Sequence, residues 1–306
     1  MSEVIDAEEL RRRLPMRAAI DALETAFRTE EPGGTPLRTH VETPAGELLI
    51  MPALGPAGVG VKLVTLTEAN PSRGLAFVNA VYVLFDPQTQ APLATIDGAA
   101  LTALRTAAVS GLATRYLART EAARLVLFGA GVQARSHLEA MVSERPVRSV
   151  VVVSRSAGPA EALAGHARSS FGVEASTGGP DAVAGGDLVC CCTTSPTPLF
   201  EGSRLSAGAH VNAVGAYRTD ARELDSETVR RARVVVETRE VAAAEAGDLV
   251  IPMDEGSIGS DHVAADLAEL VRGARVRTND ADVTVFKSVG MAFEDLVVAR
   301  AAVDGG

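Results

Sequence analysis

The segment Leu125-Val126-Leu127-Phe128-Gly129-Ala130-Gly131-Val132-Gln133-Ala134 constrains this chain more than any other. A short apolar run meets a glycine turn, and a helical stretch follows to Glu144. Gly129 permits the tight turn. Gly131 leaves room for a phosphate against the backbone, and Ala134 allows close packing of helix on strand. The helix N-terminus adds amide donors and a positive dipole. In its strand–turn–helix setting, G-x-G-x-x-A predicts a dinucleotide-binding unit.

The rhythm around this turn supports the same fold. From Ala123 onward, apolar runs at 125–128, 149–153, 188–192, 210–214 and 234–237 are interleaved with helical stretches such as 159–170. Strand–helix alternation of this kind indicates a parallel sheet covered on both faces. The first third reads differently. Asp6 is placed to cap a helix over 7–13, and Pro15 to open a second helix with Ile20, Leu23 and Phe27 on one face. After a loop at 30–35, strand-like runs at 38–43, 47–52, 60–66, 76–85 and 92–96 follow without helices between them. That predicts an antiparallel or mixed sheet. A long Ala- and Leu-rich helix is predicted over 99–119, and an amphipathic helix over 291–303.

Composition bounds the function. The 306 residues are ample for two domains and a large core. A net charge of −10 repels phosphate backbones and anionic lipid, so neither nucleic acid nor membrane is an expected partner. The chain opens on acidic residues before Arg11-Arg12-Arg13, the wrong order for an export signal, and it has no apolar run long enough to span a bilayer. A cytoplasmic location is expected. Cys190, Cys191 and Cys192 are consecutive, which suits buried small side chains on a strand. They form neither a disulfide framework nor a zinc pattern, so no metal is expected.

The end of the second strand bears on the cofactor. An NAD enzyme places an acid there for the ribose 2′-hydroxyl. This chain has Ser154-Arg155-Ser156 instead. Guanidinium and hydroxyl groups suit a 2′-phosphate, so NADPH is predicted over NADH.

Further blocks, collinear over nearly the whole length, carry a family resemblance. They are Pro36-Leu37-Arg38-Thr39, Met51-Pro52-Ala53, Val61-Lys62-Leu63-Val64-Thr65 and Arg105-Thr106-Ala107-Ala108-Val109-Ser110. After the glycine turn come Ser136-His137, then His210-Val211-Asn212-Ala213-Val214-Gly215-Ala216 with Arg222-Glu223-Leu224-Asp225, and finally Thr284-Val285-Phe286-Lys287-Ser288-Val289-Gly290-Met291. With these blocks the chain resembles the ornithine cyclodeaminase/mu-crystallin family, and within it the ketimine reductase branch.

The resemblance implies an α/β protein: a Rossmann-type NAD(P)-binding domain over 113–289, plus a smaller α+β substrate and dimerisation domain over 1–112 with 290–306. It implies a homodimer. It also implies that Arg38 and Arg105 hold a substrate carboxylate, that Lys62 lies near that carboxylate and the reacting nitrogen, and that Asp225 is the catalytic aspartate, supplying or stabilising the imine proton with Lys62 or a water. Thr106, with Arg105 beside it, contacts cofactor phosphate. Gly129, Ala130, Gly131, Val132 and Gln133 form the phosphate turn, and Thr193, Thr194, Val214 and Ser288 line nicotinamide and ribose.

Read without the resemblance, Lys62 sits inside an apolar run, where an unpaired ammonium would be costly. Asp225 alone could simply cap the helix starting at Ser226, and His137 reads as a structural histidine. Phe77 replaces a substrate-contacting threonine of the cyclodeaminase branch. The activity so implied is NADPH-dependent reduction of small cyclic ketimines. Its alternatives are an NAD-dependent ornithine or lysine cyclodeaminase, a linear amino-acid dehydrogenase, and a non-catalytic NADPH-dependent binding protein of the mu-crystallin type.

Overall fold

The structure, a computed structural model, describes residues 3–29, 32 and 36–306. Apart from Pro32, the loop read at 30–35 lies outside the described residues. The chain divides into two compact units, Met1–Arg105 with Met291–Gly306, and Thr106–Gly290.

The first unit holds a six-stranded sheet. Its elements are β1 (Glu3–Ile5), α1 (Ala7–Arg13), α2 (Met16–Thr29), β2 (Thr39–Thr43), β3 (Gly46–Gly55), β4 (Gly58–Leu66), β5 (Val78–Phe85) and β6 (Pro92–Asp97). The start of α3 (Gly98–Leu117) follows, and the C-terminal helix Ala292–Asp304 completes the unit. Asp6 caps α1, accepting from the amides of Glu8 and Glu9 at 2.9 and 2.8 Å. On α2, Ile20, Leu23 and Phe27 are buried on one face, and Phe27 meets Phe293 edge-on at 5.2 Å. Strands β2 to β6 are antiparallel neighbours in chain order.

Strand β1, which has no counterpart among the strand-like runs of the sequence, pairs parallel with β6. Three residues carry too little alternation to announce a strand. The pleat decides which side chains of β4 are covered. Gly58, Gly60, Lys62, Val64 and Leu66 face inward, while Leu63 and Thr65 face out. The C-terminal helix packs on β3, β4 and β5.

The second unit holds an eight-stranded parallel sheet of order β13-β12-β14-β11-β10-β7-β8-β9. It comprises β7 (Arg124–Phe128), α4 (Val132–Glu144), β8 (Ser149–Val153), α5 (Ala157–Phe171), β9 (Glu174–Thr177), β10 (Leu188–Cys191), β11 (His210–Ala213), α6 (Ser226–Arg231), β12 (Arg233–Val236), α7 (Arg239–Glu245), α8 (Gly247–Asp254), β13 (Val263–Asp266), α9 (Leu267–Val271) and β14 (Thr284–Lys287). The chain runs outward through β7, β8 and β9, then returns to place β10 on the other side of β7. The strand order therefore reverses beside the glycine turn, where open α/β sheets bind ligands. Strands buried on both faces read as continuous apolar runs, which is why β7, β8, β10 and β12 were legible. Cys190 and Cys191 are buried on β10, and all three cysteines are free thiols.

Candidate active site

In the second unit, the residues read as cofactor contacts follow the C-terminal ends of parallel strands. Gly129 follows β7, Ser154 follows β8, Thr193 lies just beyond β10, Val214 follows β11 and Ser288 follows β14. Gly129 has φ +102, and a Cβ there would stand 2.5 Å from the Cys192 carbonyl oxygen. Gly131, the N-cap of α4, differs: a Cβ would meet nothing within 4 Å. No side chain caps that helix, and Val132 beside it is 70% exposed. A tight turn, open space above a glycine and uncapped amide donors fit a dinucleotide phosphate. At the end of β8, Ser154 is half-buried while Arg155 and Ser156 are exposed, with Ser156 as N-cap of α5.

A buried charged network ties these strand ends together. Glu223 accepts from the Thr193 amide at 2.8 Å and hydroxyl at 2.7 Å through one oxygen, and from the Gly215 amide at 2.7 Å through the other. Burial, then the neighbouring Asp248 carboxylate, pushes Glu223 up to about 6. Asp248 accepts from the amides of Glu223 and Leu224 and pairs with Lys287 at 2.8 Å. Lys287 also donates to the Ala216 carbonyl at 2.5 Å. Glu237, buried after β12, accepts from the Ser288 hydroxyl and from the amides of Val289 and Gly290. None of Glu223, Glu237, Asp248 or Lys287 was singled out from the sequence. Buried acids are readable only once burial is known.

In the first unit, Lys62 is fully buried, 2.8 and 2.7 Å from the two oxygens of Asp295. Arg105 is 4% exposed. It donates from Nε to Asp295 at 3.1 Å and from Nη1 to Glu294 at 3.0 Å. Burial, with the Arg105 charge next, lowers Lys62 to about 7 against the pull of Asp295, and Arg38 also lowers it. Tyr82, opposite Lys62 in the strand register, is buried, and its hydroxyl has no hydrogen-bond partner among the described residues. Burial and Asp295 raise it well above its ordinary value. Arg38 is half-buried. Thr106 is buried on α3, the residue after Arg105. Glu294 and Asp295 went unread in the sequence. Their signal was present, because two adjacent acids stand directly before Leu296-Val297-Val298-Ala299, the buried apolar middle of the helix.

Three residues sit outside these clusters. Asp225 is the N-cap of α6. One oxygen accepts from the Thr228 amide and hydroxyl at 2.7 and 2.6 Å, and the other from the Gly202 amide at 2.9 Å. Phe77 is half-buried just before β5, its carbonyl accepting from the Thr67 amide. His137 is a core histidine, donating from Nδ1 to the Gln133 carbonyl at 2.8 Å with Nε2 3.0 Å from the Ser110 hydroxyl. Among the described residues, no group of histidine, cysteine and acid side chains could hold a metal ion, and no helix is long and apolar enough to cross a membrane.

The model of the ornithine cyclodeaminase/mu-crystallin family matches residues 2–305. The chain belongs to that family. Over 307 aligned residues it is 36% identical to a Delta(1)-pyrroline-2-carboxylate reductase of Bacillus cereus, covering 97% of this chain and 94% of that one. It is 38% identical over 273 residues to the ketimine reductase mu-crystallin of Rattus norvegicus, covering 88% and 84%. The solved structure of Thermococcus litoralis Delta(1)-pyrroline-2-carboxylate reductase in complex with NADH and L-proline superposes with a TM-score of 0.95 at 38% identity, covering 99% and 97%. An archaeal alanine dehydrogenase dimer with bound NAD gives 0.93 at 30% identity, covering 99% and 95%. The fold is therefore α/β with a Rossmann-type nicotinamide-binding sheet, as the family requires.

Proposed function

We propose that this family member reduces small cyclic ketimines that carry a carboxylate on the imine carbon, of the 1-pyrroline-2-carboxylate and 1-piperideine-2-carboxylate kind, using NADPH. The observation that carries the reading is Lys62: a fully buried amine set among Arg105, Asp295 and Arg38, holding its proton at about 7. An acid with a value near the working pH is well suited to protonating an imine nitrogen. Arg38 and Arg105 hold the substrate carboxylate, for which a planar guanidinium offers paired donors. Lys62 gives its proton to the nitrogen, since an iminium is the better electrophile. When bound, the reduced nicotinamide supplies the hydride that the imine carbon takes, so C=N becomes CH–NH with one hydride and one proton added.

On this reading Gly129, Ala130, Gly131, Val132 and Gln133 hold the pyrophosphate, with Thr106 as a further phosphate contact. Thr193, Thr194, Val214 and Ser288 line nicotinamide and ribose. Ser154, Arg155 and Ser156 receive the 2′-phosphate, which argues for NADPH, and Phe77 bounds the substrate's apolar side. Asp225 is given no proton, because all its oxygens serve the cap and the Gly202 amide.

Residues 1–112 with 290–306 serve substrate binding and dimerisation, and residues 113–289 serve the cofactor. The outward face of the first sheet supports a homodimer. Val41, Leu63 and Val81 are exposed there, with Leu54 55% exposed at the same sheet, and a second copy is the expected cover for such an apolar face. Free buried thiols suit a reducing cytoplasm.

The test is NADPH oxidation, followed by nicotinamide absorbance, across cyclic imino acids and amine/keto-acid pairs. Turnover with cyclic ketimines is expected. No turnover with any of them, beside ammonia release from ornithine or lysine without net nicotinamide change, would overturn the reading.

A further inference from the structure

Every basic side chain other than histidine in this chain is an arginine, except Lys62 and Lys287. Both exceptions are buried, and each is paired with a buried aspartate. The two compact side-chain ammonium groups of the chain therefore both lie at enclosed positions. Lys62 is the one that faces the cationic cluster of the first unit.

The geometry around Lys62 turns on a single carboxylate. Asp295 lies one residue beyond Glu294 on the C-terminal helix and is fully buried. Its oxygens stand 2.8 and 2.7 Å from the Lys62 ammonium, and one of them accepts from Arg105 Nε at 3.1 Å. Glu294 accepts from Arg105 Nη1 at 3.0 Å. Two cations brought together in a dry interior repel each other, and a carboxylate between them offsets both that repulsion and part of their desolvation.

We propose that Asp295 is the positioning residue of this site: its shared carboxylate holds the Lys62 ammonium and the Arg105 guanidinium at a fixed separation, and so keeps the proton donor charged and aimed. This rests on the reading of Lys62 as proton donor in ketimine reduction. The charged and titratable groups facing Lys62 are Asp295 and, through Arg105, Glu294 from the C-terminal helix, Arg105 from α3, Arg38 from the segment before β2, and Tyr82 from β5. Of these, Asp295 favours the charged amine through both its charge and its hydrogen bond. Burial and the two arginines oppose it.

The experiment uses full-length enzyme with NADP⁺ bound and lysine labelled with ¹³C at Cε. Two lysine signals are expected, and Lys62→Arg identifies its own by removing it. In the wild type the Lys62 signal titrates near neutrality. In Asp295→Asn its midpoint moves at least one pH unit toward acid, and the alkaline limb of kcat/KM moves with it, so activity at about pH 8 falls at least tenfold while recovering toward acid. Glu294→Gln raises KM for the imino acid with the limb displaced far less.

An unchanged Lys62 midpoint in folded Asp295→Asn overturns the proposal. Should that variant fail to fold, Asp295→Glu displaces the carboxylate by one methylene, and an unmoved midpoint with unmoved kcat/KM overturns it equally. The lysine titration needs no turnover. A shifted midpoint in a protein that reduces no ketimine would sink the functional reading and leave the coupling of Asp295 to Lys62 standing.

Discussion

Lys287 Nζ stands 2.8 Å from Asp248 Oδ2, and neither side chain is reached by solvent. The pair lies where β14 ends, and Asp248 also holds the amides of Glu223 and Leu224. Attraction between buried charges is offset by the loss of their hydration, so such a pair is weakly stabilising as a unit yet costly to break. Lys287→Met should therefore destabilise the chain by about 3 kcal/mol or more in urea unfolding. The double variant Lys287→Met with Asp248→Asn, which removes the charge but keeps an acceptor oxygen for the Glu223 and Leu224 amides, should recover much of that loss. Equal losses in single and double variants would show that the lysine stem, rather than the charge pair, matters.

The response of stability to acid follows from three buried groups with opposite signs. Burial lowers His137 to about 4, and burial with Arg277 next lowers His210 to about 3. Both values lie below that of an unfolded histidine, so each contributes stability that is lost as pH falls below about 6.5. Glu223 is raised to about 6, above an unfolded glutamate, so it contributes stability present at low pH and lost as pH rises through 6. At about pH 5 the histidines cost roughly 2 kcal/mol each, against roughly 1 kcal/mol gained from Glu223. The histidines win, and the urea midpoint should fall between about pH 7 and pH 5. His137→Gln should flatten that fall; a midpoint independent of pH in the wild type would refute the account.

The two turn glycines separate a folding role from a binding one. Gly129 combines φ +102 with a backbone oxygen 2.5 Å from where a Cβ would sit. Gly129→Ala should cost more than about 1 kcal/mol of stability. Around Gly131 there is open space. Gly131→Ala should leave the unfolding midpoint nearly unchanged and weaken NADPH binding about tenfold or more, by crowding the phosphate approach. Calorimetric titration with the cofactor distinguishes the two; unweakened binding in Gly131→Ala would remove the turn from the cofactor site.

Most of the architecture was readable because its signals are local. The expected strands and long helix appear within a few residues of their places, since alternation and the Asp6 cap act over short spans. What was not readable depends on distant partners. Lys62 demanded a buried carboxylate, but nothing in its own run could say that Asp295 would supply it. Glu223 lies between Arg222 and Leu224 like any solvent-facing acid, until the fold brings the amides of Thr193 and Gly215 onto it. Asp225 shows the converse. The resemblance implies it as a catalytic aspartate, and its position before Ser226 also offers the helix cap that the fold shows.

Asp225 therefore makes a prediction that divides stability from turnover. Its carboxylate receives three donors, two from Thr228 and one from Gly202. Removing a capping oxygen costs about 1 kcal/mol, more where the amides are left partly buried. Asp225→Ala should lower the urea midpoint by an amount of that order. Asp225→Asn keeps one acceptor oxygen and is itself a good cap, so it should stay close to the wild type in stability. Turnover of a cyclic ketimine by Asp225→Asn should remain within about threefold of the wild type, because general acid catalysis worth about a hundredfold or more is assigned to Lys62. A fall of that size in a stable Asp225→Asn protein with unchanged NADPH affinity would return Asp225 to the chemistry and take the proton from Lys62.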